Sequence, residues 1–220
     1  MTQLENELKA LKSGLIQMWD LAYSQLEKAQ LSLINFDQGL AREVMQKEKR
    51  VNGYELKIDT DCENIFALYT PVAVDLRFVL AVLKINYNLE RIGDYAEGIA
   101  RYVITLKVPF NKDILAKTQL TAMLDSTIGM VRESKQAFEK EDVVLARSLF
   151  QKDETLDIIN RYAGKILNTF VENDTHNFHE ALYVHSIIQK LERVGDQITN
   201  IAEEIIFYLE ARVLKHKKEK

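Results

Sequence analysis

The segment Leu89-Glu90-Arg91-Ile92-Gly93-Asp94 returns near the end of the chain as Leu191-Glu192-Arg193-Val194-Gly195-Asp196. The match extends beyond this segment, because Ile99-Ala100 recurs at the equivalent spacing as Ile201-Ala202. A repeat of this kind in a chain of 220 residues predicts two similar halves. Each copy contains Glu-x-x-x-Asp, a spacing that places two carboxylates one turn apart on the same side of a helix.

The composition favours an all-α fold. Hydrophobic residues make up 47% of the chain and charged residues 28%, which is ordinary for a soluble globular protein. With only 2 prolines and 8 glycines, the chain lacks most of the turn residues that a β-rich fold requires. We therefore expect an all-α protein with short connections.

Charge, hydropathy and cysteine content limit the class of protein. The net charge of −4 creates no overall field that attracts nucleic acid. The start of the chain lacks the basic and apolar regions of a signal peptide, and no apolar run approaches the roughly 20 residues needed to span a bilayer. The single cysteine, Cys62, excludes an intrachain disulfide and fits a reducing compartment. We expect a cytoplasmic protein that binds no nucleic acid and does not insert directly into a membrane.

Apolar residues recur at spacings of three and four along most of the chain, which predicts six long amphipathic helices. Breaks are expected near positions 35–37, 70–71, 108–112, 139–141 and 173–176. Asp37 suits the N-cap of the second helix, and Pro71 the first turn of the third. Short connections make successive helices antiparallel. The sequence thus predicts two tandem, pseudo-symmetric three-helix bundles, residues 1–109 and 110–220.

The acidic residues of the repeat face away from the predicted core. At about 100° per residue, Glu90 and Asp94 project away from the apolar stripe of their own helix, and Glu192 and Asp196 hold the same phase. The second helix of each half carries further oxygen donors: Glu48, Asn52, Glu55 and Asp59 in the first half, and Asp153, Asp157 and Asn160 in the second. If these helices are neighbours, the oxygens converge on a groove. Such a cluster suits a hard or borderline cation.

A second interpretation of the same residues is a solvated acidic surface, in which Arg91, Arg101 and Arg193 pair with the carboxylates. The repetition in both halves, in matching phase, favours a groove. Gly93 and Gly195 add to this, because a glycine in a helix interior costs roughly 1 kcal/mol relative to alanine. Their recurrence beside the acidic pair predicts that another helix or a ligand approaches the backbone closely.

Motifs of common enzyme classes are missing. No histidine has a glutamate three positions before it, as a bundle-core di-iron enzyme would require. The sequence contains no glycine-rich phosphate loop, no H-E-x-x-H and no nucleophile elbow. Cys62 lies on the pattern of the second helix, where packing is a better explanation than nucleophilic chemistry. We expect a protein that is not an enzyme.

The segment Leu68-Tyr69-Thr70-Pro71-Val72-Ala73-Val74-Asp75-Leu76-Arg77, followed by Leu89-Glu90-Arg91-Ile92-Gly93-Asp94, resembles the signature of the PhoU family of bacterial phosphate-signalling proteins. The stretch from Val51 to Glu55 and the second copy at 191–196 fit the same pattern. The resemblance covers essentially the whole chain. It implies two three-helix bundles and a cytoplasmic negative regulator of phosphate uptake and of the phosphate-starvation response. Such proteins are thought to act between the ATPase of the phosphate ABC transporter and a membrane sensor histidine kinase.

The resemblance also implies a metal site, because some members of the family hold multinuclear iron or zinc clusters on E(D)-x-x-x-D motifs. The matching residues here are Glu90, Asp94, Asp153, Asp157, Glu192 and Asp196. The fourth motif departs from the pattern, since Glu48 is followed by Asn52; this weakens the case for Glu48 and Glu55 as ligands. The second half should therefore bind metal more tightly than the first.

The first part of the third helix is apolar on two sides. Leu76, Leu80, Leu83 and Tyr87 lie on the same side as Glu90, which implies a second packing partner. The other bundle, a second subunit of a homodimer, or the transporter ATPase would each fit. An alternative function is a helical protein whose acidic clusters hold or store iron or zinc independently of phosphate signalling.

Overall fold

The computed structural model describes residues 2–212. Its helices are α1 (Gln3–Asn35), α2 (Gln38–Tyr69), α3 (Ala73–Thr105), α4 (Lys112–Lys117), α5 (Leu120–Lys140), α6 (Val143–Asn173) and α7 (Phe178–Glu210), with a 3₁₀ turn at Thr175–Asn177. Within the described residues there is no β-strand. The all-α class and the six long helices predicted from the sequence are confirmed.

The helix boundaries agree with the predicted breaks and differ in detail. Asp37 caps α2 as expected, with its side chain accepting a hydrogen bond from the backbone N–H of Leu40. Pro71 does not lie in the first turn of α3: the helix begins only at Ala73, with Val72 at its N-cap. The six-residue helix α4 was not predicted, because it is too short to show an apolar period.

The second helix of each half starts in the same way. Asp142 caps α6 by accepting from the backbone N–H of Leu145, as Asp37 caps α2. A cap of this kind contributes about 1 kcal/mol to helix stability. The repeat therefore extends to the start of the helix that carries the additional acidic residues.

Each half packs as a three-helix bundle, α1–α2–α3 and α5–α6–α7. The bundles join through α3 against α7 and α1 against α5. The helices α3 and α7 run antiparallel, since Lys84 contacts Glu204 and Asn88 contacts Asn200. The two copies of the repeated hexapeptide thus lie on neighbouring helices.

An aromatic cluster joins the two bundles. Trp19 of α1 packs against Phe138 of α5 with 5.4 Å between ring centroids. Phe138 also contacts Phe78 of α3 and Tyr208 of α7, at 6.3 and 6.0 Å. Trp19 and Phe138 are fully buried. The hydrophobic core is therefore continuous between the halves.

Within residues 2–212, no helix is long and apolar enough to cross a membrane.

Candidate functional site

The carboxylates of the first half meet where α2 packs against α3. Glu48 and Glu55 come from α2, and Glu90 and Asp94 come from α3; we call these four the first acidic cluster. Burial, with the Asp94 and Glu55 carboxylates, raises the pKa of Glu90 to about 7. Burial also raises the pKa of Glu55, and the Asp59 and Asp94 carboxylates raise it further. The four side chains therefore share one electrostatic environment.

The second half forms the equivalent cluster between α6 and α7. Its members are Asp153 and Asp157 of α6 and Glu192 and Asp196 of α7; we call them the second acidic cluster. Burial raises the pKa of Asp153 to about 7, and the Asp157 and Asp196 carboxylates contribute in the same direction. The pKa of Glu192 is raised by burial and then by Asp196 and Asp157. The structure thus brings the acidic residues together by half, as the sequence predicts.

The two repeated glycines allow the acidic helices to pack closely. A Cβ added to Gly93 would lie 3.0 Å from Cγ1 of Val51 on α2. One added to Gly195 would overlap Oδ1 of Asp153 and lie 2.7 Å from Cδ1 of Leu156 on α6. The predicted close approach of another helix is confirmed at both positions. In the second half, the absent side chain is what lets the Asp153 carboxylate reach α7.

Two side-chain oxygens of the helices that carry the acidic residues, one on α2 and one on α6, are buried without a hydrogen-bond partner. Oδ1 of Asp153 is one of them, and Oδ1 of Asn52 is the other. The NH₂ group of Asn52 donates to Oε1 of Glu48, which leaves its own oxygen without a donor. An unsatisfied buried oxygen costs about 1–3 kcal/mol, and a cation would remove this cost. The donor set therefore fits a metal ion.

Within residues 2–212, however, the side chains form no ready-made group of three or more histidine, cysteine, aspartate or glutamate residues that could hold a metal ion. Mutual repulsion of the carboxylates explains how they can share a groove without converging on one point. The ligand role of both clusters accordingly stays a prediction.

Basic side chains pair with only some of the carboxylates. Arg91 forms an ion pair with Asp94 at 3.3 Å and donates to the hydroxyl of Tyr95 at 3.2 Å. Arg101 pairs with Glu97, outside both clusters. Across the described part of the chain, Arg193 lies within ion-pair distance of no carboxylate, although it lowers the pKa of Glu192 and of Asp196. The second acidic cluster is thus less neutralised than a salt-bridged surface would be.

One residue of the first half escaped sequence reasoning. Asn86 is fully buried on α3, and its amide donates to Oδ1 of Asp59 and to the backbone carbonyl of Glu55, both at 3.0 Å. It therefore gives Asp59, at the edge of the first acidic cluster, a neutral hydrogen-bond partner. The signal in the sequence was an asparagine directly after Ile85 of the apolar stripe, a position where a polar residue requires a partner.

The predicted second apolar side of α3 remains open to solvent. Leu76, Leu80 and Tyr87 are exposed by 37%, 36% and 56%, and Leu83 is partly buried. We call these four residues the α3 strip. The second bundle packs on α3 without covering three of them. Of the partners considered for this face, the other bundle does not supply the contact.

Taken together, the fold and the site define a tandem helical-repeat protein with an acidic groove in each half and an open apolar face. The family model described as the PhoU domain matches the chain twice, over residues 15–103 and 120–205. The chain belongs to the PhoU family. The boundary predicted at 109/110 lies in the unmatched interval between the two domains.

The relatives carry consistent names. The phosphate-specific transport system accessory protein PhoU homolog of Pseudomonas putida is 33% identical over 97% of this chain and 83% of its own length. The PhoU protein of Escherichia coli K12 is 30% identical over 97% of this chain and 88% of its own. The crystal structure of PhoU from Pseudomonas aeruginosa has a TM-score of 0.87 and 31% identity, covering 96% of this chain and 100% of that one.

Proposed function

We propose that this protein is a cytoplasmic negative regulator of phosphate uptake and of the phosphate-starvation response. It acts by protein contacts, between the ATPase of the phosphate ABC transporter and a membrane sensor histidine kinase, and catalyses no reaction itself. The observation that carries the proposal is the full-length match to relatives named as accessory proteins of phosphate transport.

The acidic clusters are the proposed metal sites of this regulator. Glu90 and Asp94, with Glu48 and Glu55, would hold one ion or small cluster of iron or zinc, and Asp153, Asp157, Glu192 and Asp196 the other. Bound metal would supply positive charge between two packed helices. The raised pKa values of Glu90 and Asp153 support this role, because the same crowding of carboxylates that favours a proton favours a cation.

The α3 strip is the proposed contact surface. Exposed apolar side chains at successive helical turns suit a partner that lays its own apolar face against them. A second copy of the chain in a homodimer and the transporter ATPase would each cover this strip, and the two are distinguished by measurement.

The test uses the purified transporter ATPase and the cytoplasmic part of the sensor kinase from the same organism. Leu80→Asp places a charge in the strip, whereas Val144→Asp places one at an apolar residue of α6 that is 79% exposed and lies outside the strip. We expect the parent and Val144→Asp to bind the ATPase, measured by biolayer interferometry, and Leu80→Asp to bind at least tenfold more weakly.

The cellular measurement is independent of which surface is used. Deleting the gene should switch on a phosphate-starvation reporter in phosphate-rich medium, and the parent gene should silence it again. A deletion strain with an unchanged reporter and unchanged phosphate uptake would contradict the proposed function. Light scattering of the parent and Leu80→Asp then decides whether the strip also forms a homodimer.

A further inference from the structure

A polar cleft of about 460 Å³ lies between α3 and α7, beside the first acidic cluster. Its volume is in the range of small-molecule sites. Both arginines of the repeated hexapeptide line it, so the cleft lies where the two halves meet. The lining residues are Arg91, Asp94, Tyr95, Glu97, Gly98, Arg101, Tyr102, Lys190 and Arg193.

The charges of the cleft are unbalanced. Its two carboxylates are each engaged, Asp94 by Arg91 and Glu97 by Arg101. The remaining cations, Lys190 and Arg193, come from α7, and neither lies within ion-pair distance of a carboxylate in the part of the chain that the structure describes. Four cations against two anions give the cleft an excess of positive charge, in a protein whose net charge is −4. Such a local field attracts an anion.

Aromatic rings and a glycine shape the same cleft. Nζ of Lys190 lies 5.9 Å from the centroid of the Tyr102 ring, and the guanidinium of Arg91 lies 5.3 Å from that of Tyr95. A Cβ added to Gly98 would lie 2.9 Å from Cε of Lys190. Gly98 therefore leaves the space in which the Lys190 side chain lies along the cleft.

The repeat provides an internal comparison for this cleft. The antiparallel packing of α3 on α7 places Gly98 opposite Lys190, and the equivalent pair on the other side of the crossing is Asn200 opposite Asn88. There, the amide of Asn200 donates to the side chain of Asn88 at 3.4 Å, so two uncharged groups close the space. If the two halves were identical in sequence, the pair on one side of the α3–α7 contact would be the same as the pair on the other side. The glycine–lysine pair is therefore specific to the cleft.

A second difference between the two sides of the α3–α7 contact also leaves only the cleft side open. The position equivalent to Tyr102 is Glu204, which is buried and accepts two hydrogen bonds from Lys84 at 2.9 and 3.0 Å. On that side of the α3–α7 contact, an ion pair between a half-exposed lysine and a buried glutamate occupies the position. On the Tyr102 side, Nζ of Lys190 lies over the tyrosine ring with no carboxylate within ion-pair distance among the described residues, and the space of the cleft is unfilled. The two halves have therefore diverged in a way that leaves one cationic cleft open.

We propose that this cleft binds a small molecule carrying a phosphate group. Lys190 and Arg193 would donate charge-assisted hydrogen bonds to the phosphate oxygens, and Arg91 would add its guanidinium by exchanging Asp94 for the ligand. The inference goes beyond the proposed function and does not rest on it: Asp94 belongs to both the cleft and the first acidic cluster, but phosphate binding by Lys190, Arg193 and Arg91 requires no metal and no partner protein. A free polyphosphate anion and a nucleotide share this chemistry. The tyrosine rings would add stacking only for a nucleotide.

The test is isothermal titration calorimetry of the full chain with pyrophosphate, AMP and adenosine. EDTA is present throughout, so that a metal held by the acidic clusters cannot recruit phosphate. We expect pyrophosphate and AMP to bind and adenosine not to bind. Tighter binding of AMP assigns the cleft to nucleotides, and tighter binding of pyrophosphate assigns it to free anions.

The variant Lys190→Gln with Arg193→Gln removes the two cations that have no carboxylate partner. Binding should weaken by about tenfold for each cation removed. The control, Arg161→Gln with Lys165→Gln, removes two exposed cations of α6 and should bind like the parent. No heat with either phosphate compound, equal affinity in the cleft variant, or an equal loss in the control would each overturn the proposal. Melting curves of all variants verify that they are folded.

Discussion

The raised pKa of Asp153 makes the stability of this protein depend on pH in a defined direction. The folded protein keeps the Asp153 proton up to about pH 7, whereas the unfolded chain releases it near the ordinary value of 3.8. The folded state therefore binds more protons across this interval, and its stability must fall as pH rises toward 7. Asp153→Asn removes the titrating group, so the part of this fall in stability that comes from Asp153 should disappear in the variant.

The magnitude follows from the size of the shift. Each pKa unit is worth about 1.4 kcal/mol, so the two units between pH 5 and the folded pKa correspond to about 3 kcal/mol. Because Asp153 is only partly buried, solvent screening reduces this to about 1.5 kcal/mol. In a chain of this size, that is a change in melting temperature of about 3–6 °C.

The assay is thermal unfolding by circular dichroism in EDTA at pH 5 and pH 8. The melting temperature of Asp153→Asn minus that of the parent should be about 3–6 °C higher at pH 8 than at pH 5. Glu154→Gln is the matched control, because Glu154 is the next residue of α6 and is exposed. If the difference between Asp153→Asn and the parent is the same at both pH values, the Asp153 carboxyl is solvated and the second acidic cluster is an ordinary surface.

Further predictions concern the glycines and the metal. Gly195→Ala should destabilise the protein by about 1–3 kcal/mol in urea unfolding, because the added methyl overlaps Asp153 and Leu156, whereas Gly164→Ala, with open space around it, should be neutral or stabilising. Gly93→Leu should lower the melting temperature, since Val51 already lies against that backbone. Glu192→Gln with Asp196→Asn should abolish most iron or zinc uptake, measured by elemental analysis after matched loading, while the far-ultraviolet circular dichroism stays that of the parent.

The controls separate packing from charge. A melting temperature unchanged by Gly93→Leu would contradict the close packing of α2 on α3. Equal metal content in the parent and in the Glu192→Gln, Asp196→Asn variant would show that these carboxylates bind no metal. If that variant loses metal yet still regulates the phosphate-starvation reporter, metal and regulation are separate properties.

The sequence predicted the helices and their grouping because both depend on local patterns. Apolar period, caps and proline fixed the breaks, and the repeat fixed the pairing of halves. The acidic clusters were also predictable, since helical phase determines which side chains share a face. Glu55, which the sequence already places with Glu48 on α2, lies near enough to Asp94 for that carboxylate to raise its pKa. That the second half binds metal more tightly than the first stays a prediction.

Features that depend on the contact between halves lay beyond sequence reasoning. Nothing in the local pattern places Lys190 beside Gly98, because the register of α3 on α7 is decided by packing along both helices. The same holds for the α3 strip, whose exposure follows from where the second bundle stops. A repeat predicts what each half resembles, and it does not predict how the two halves meet.

The aromatic cluster around Trp19 has a consequence for cooperativity. Its rings come from α1, α3, α5 and α7, so neither bundle can open without exposing apolar area that belongs to the other. A chain that looks like two domains is expected to unfold in one transition. Since Trp19 is the only tryptophan, its fluorescence reports the separation of the bundles, and helical circular dichroism reports their melting. The two signals should change at the same temperature. A destabilising mutation in one repeat should lower the melting temperature of both repeats equally.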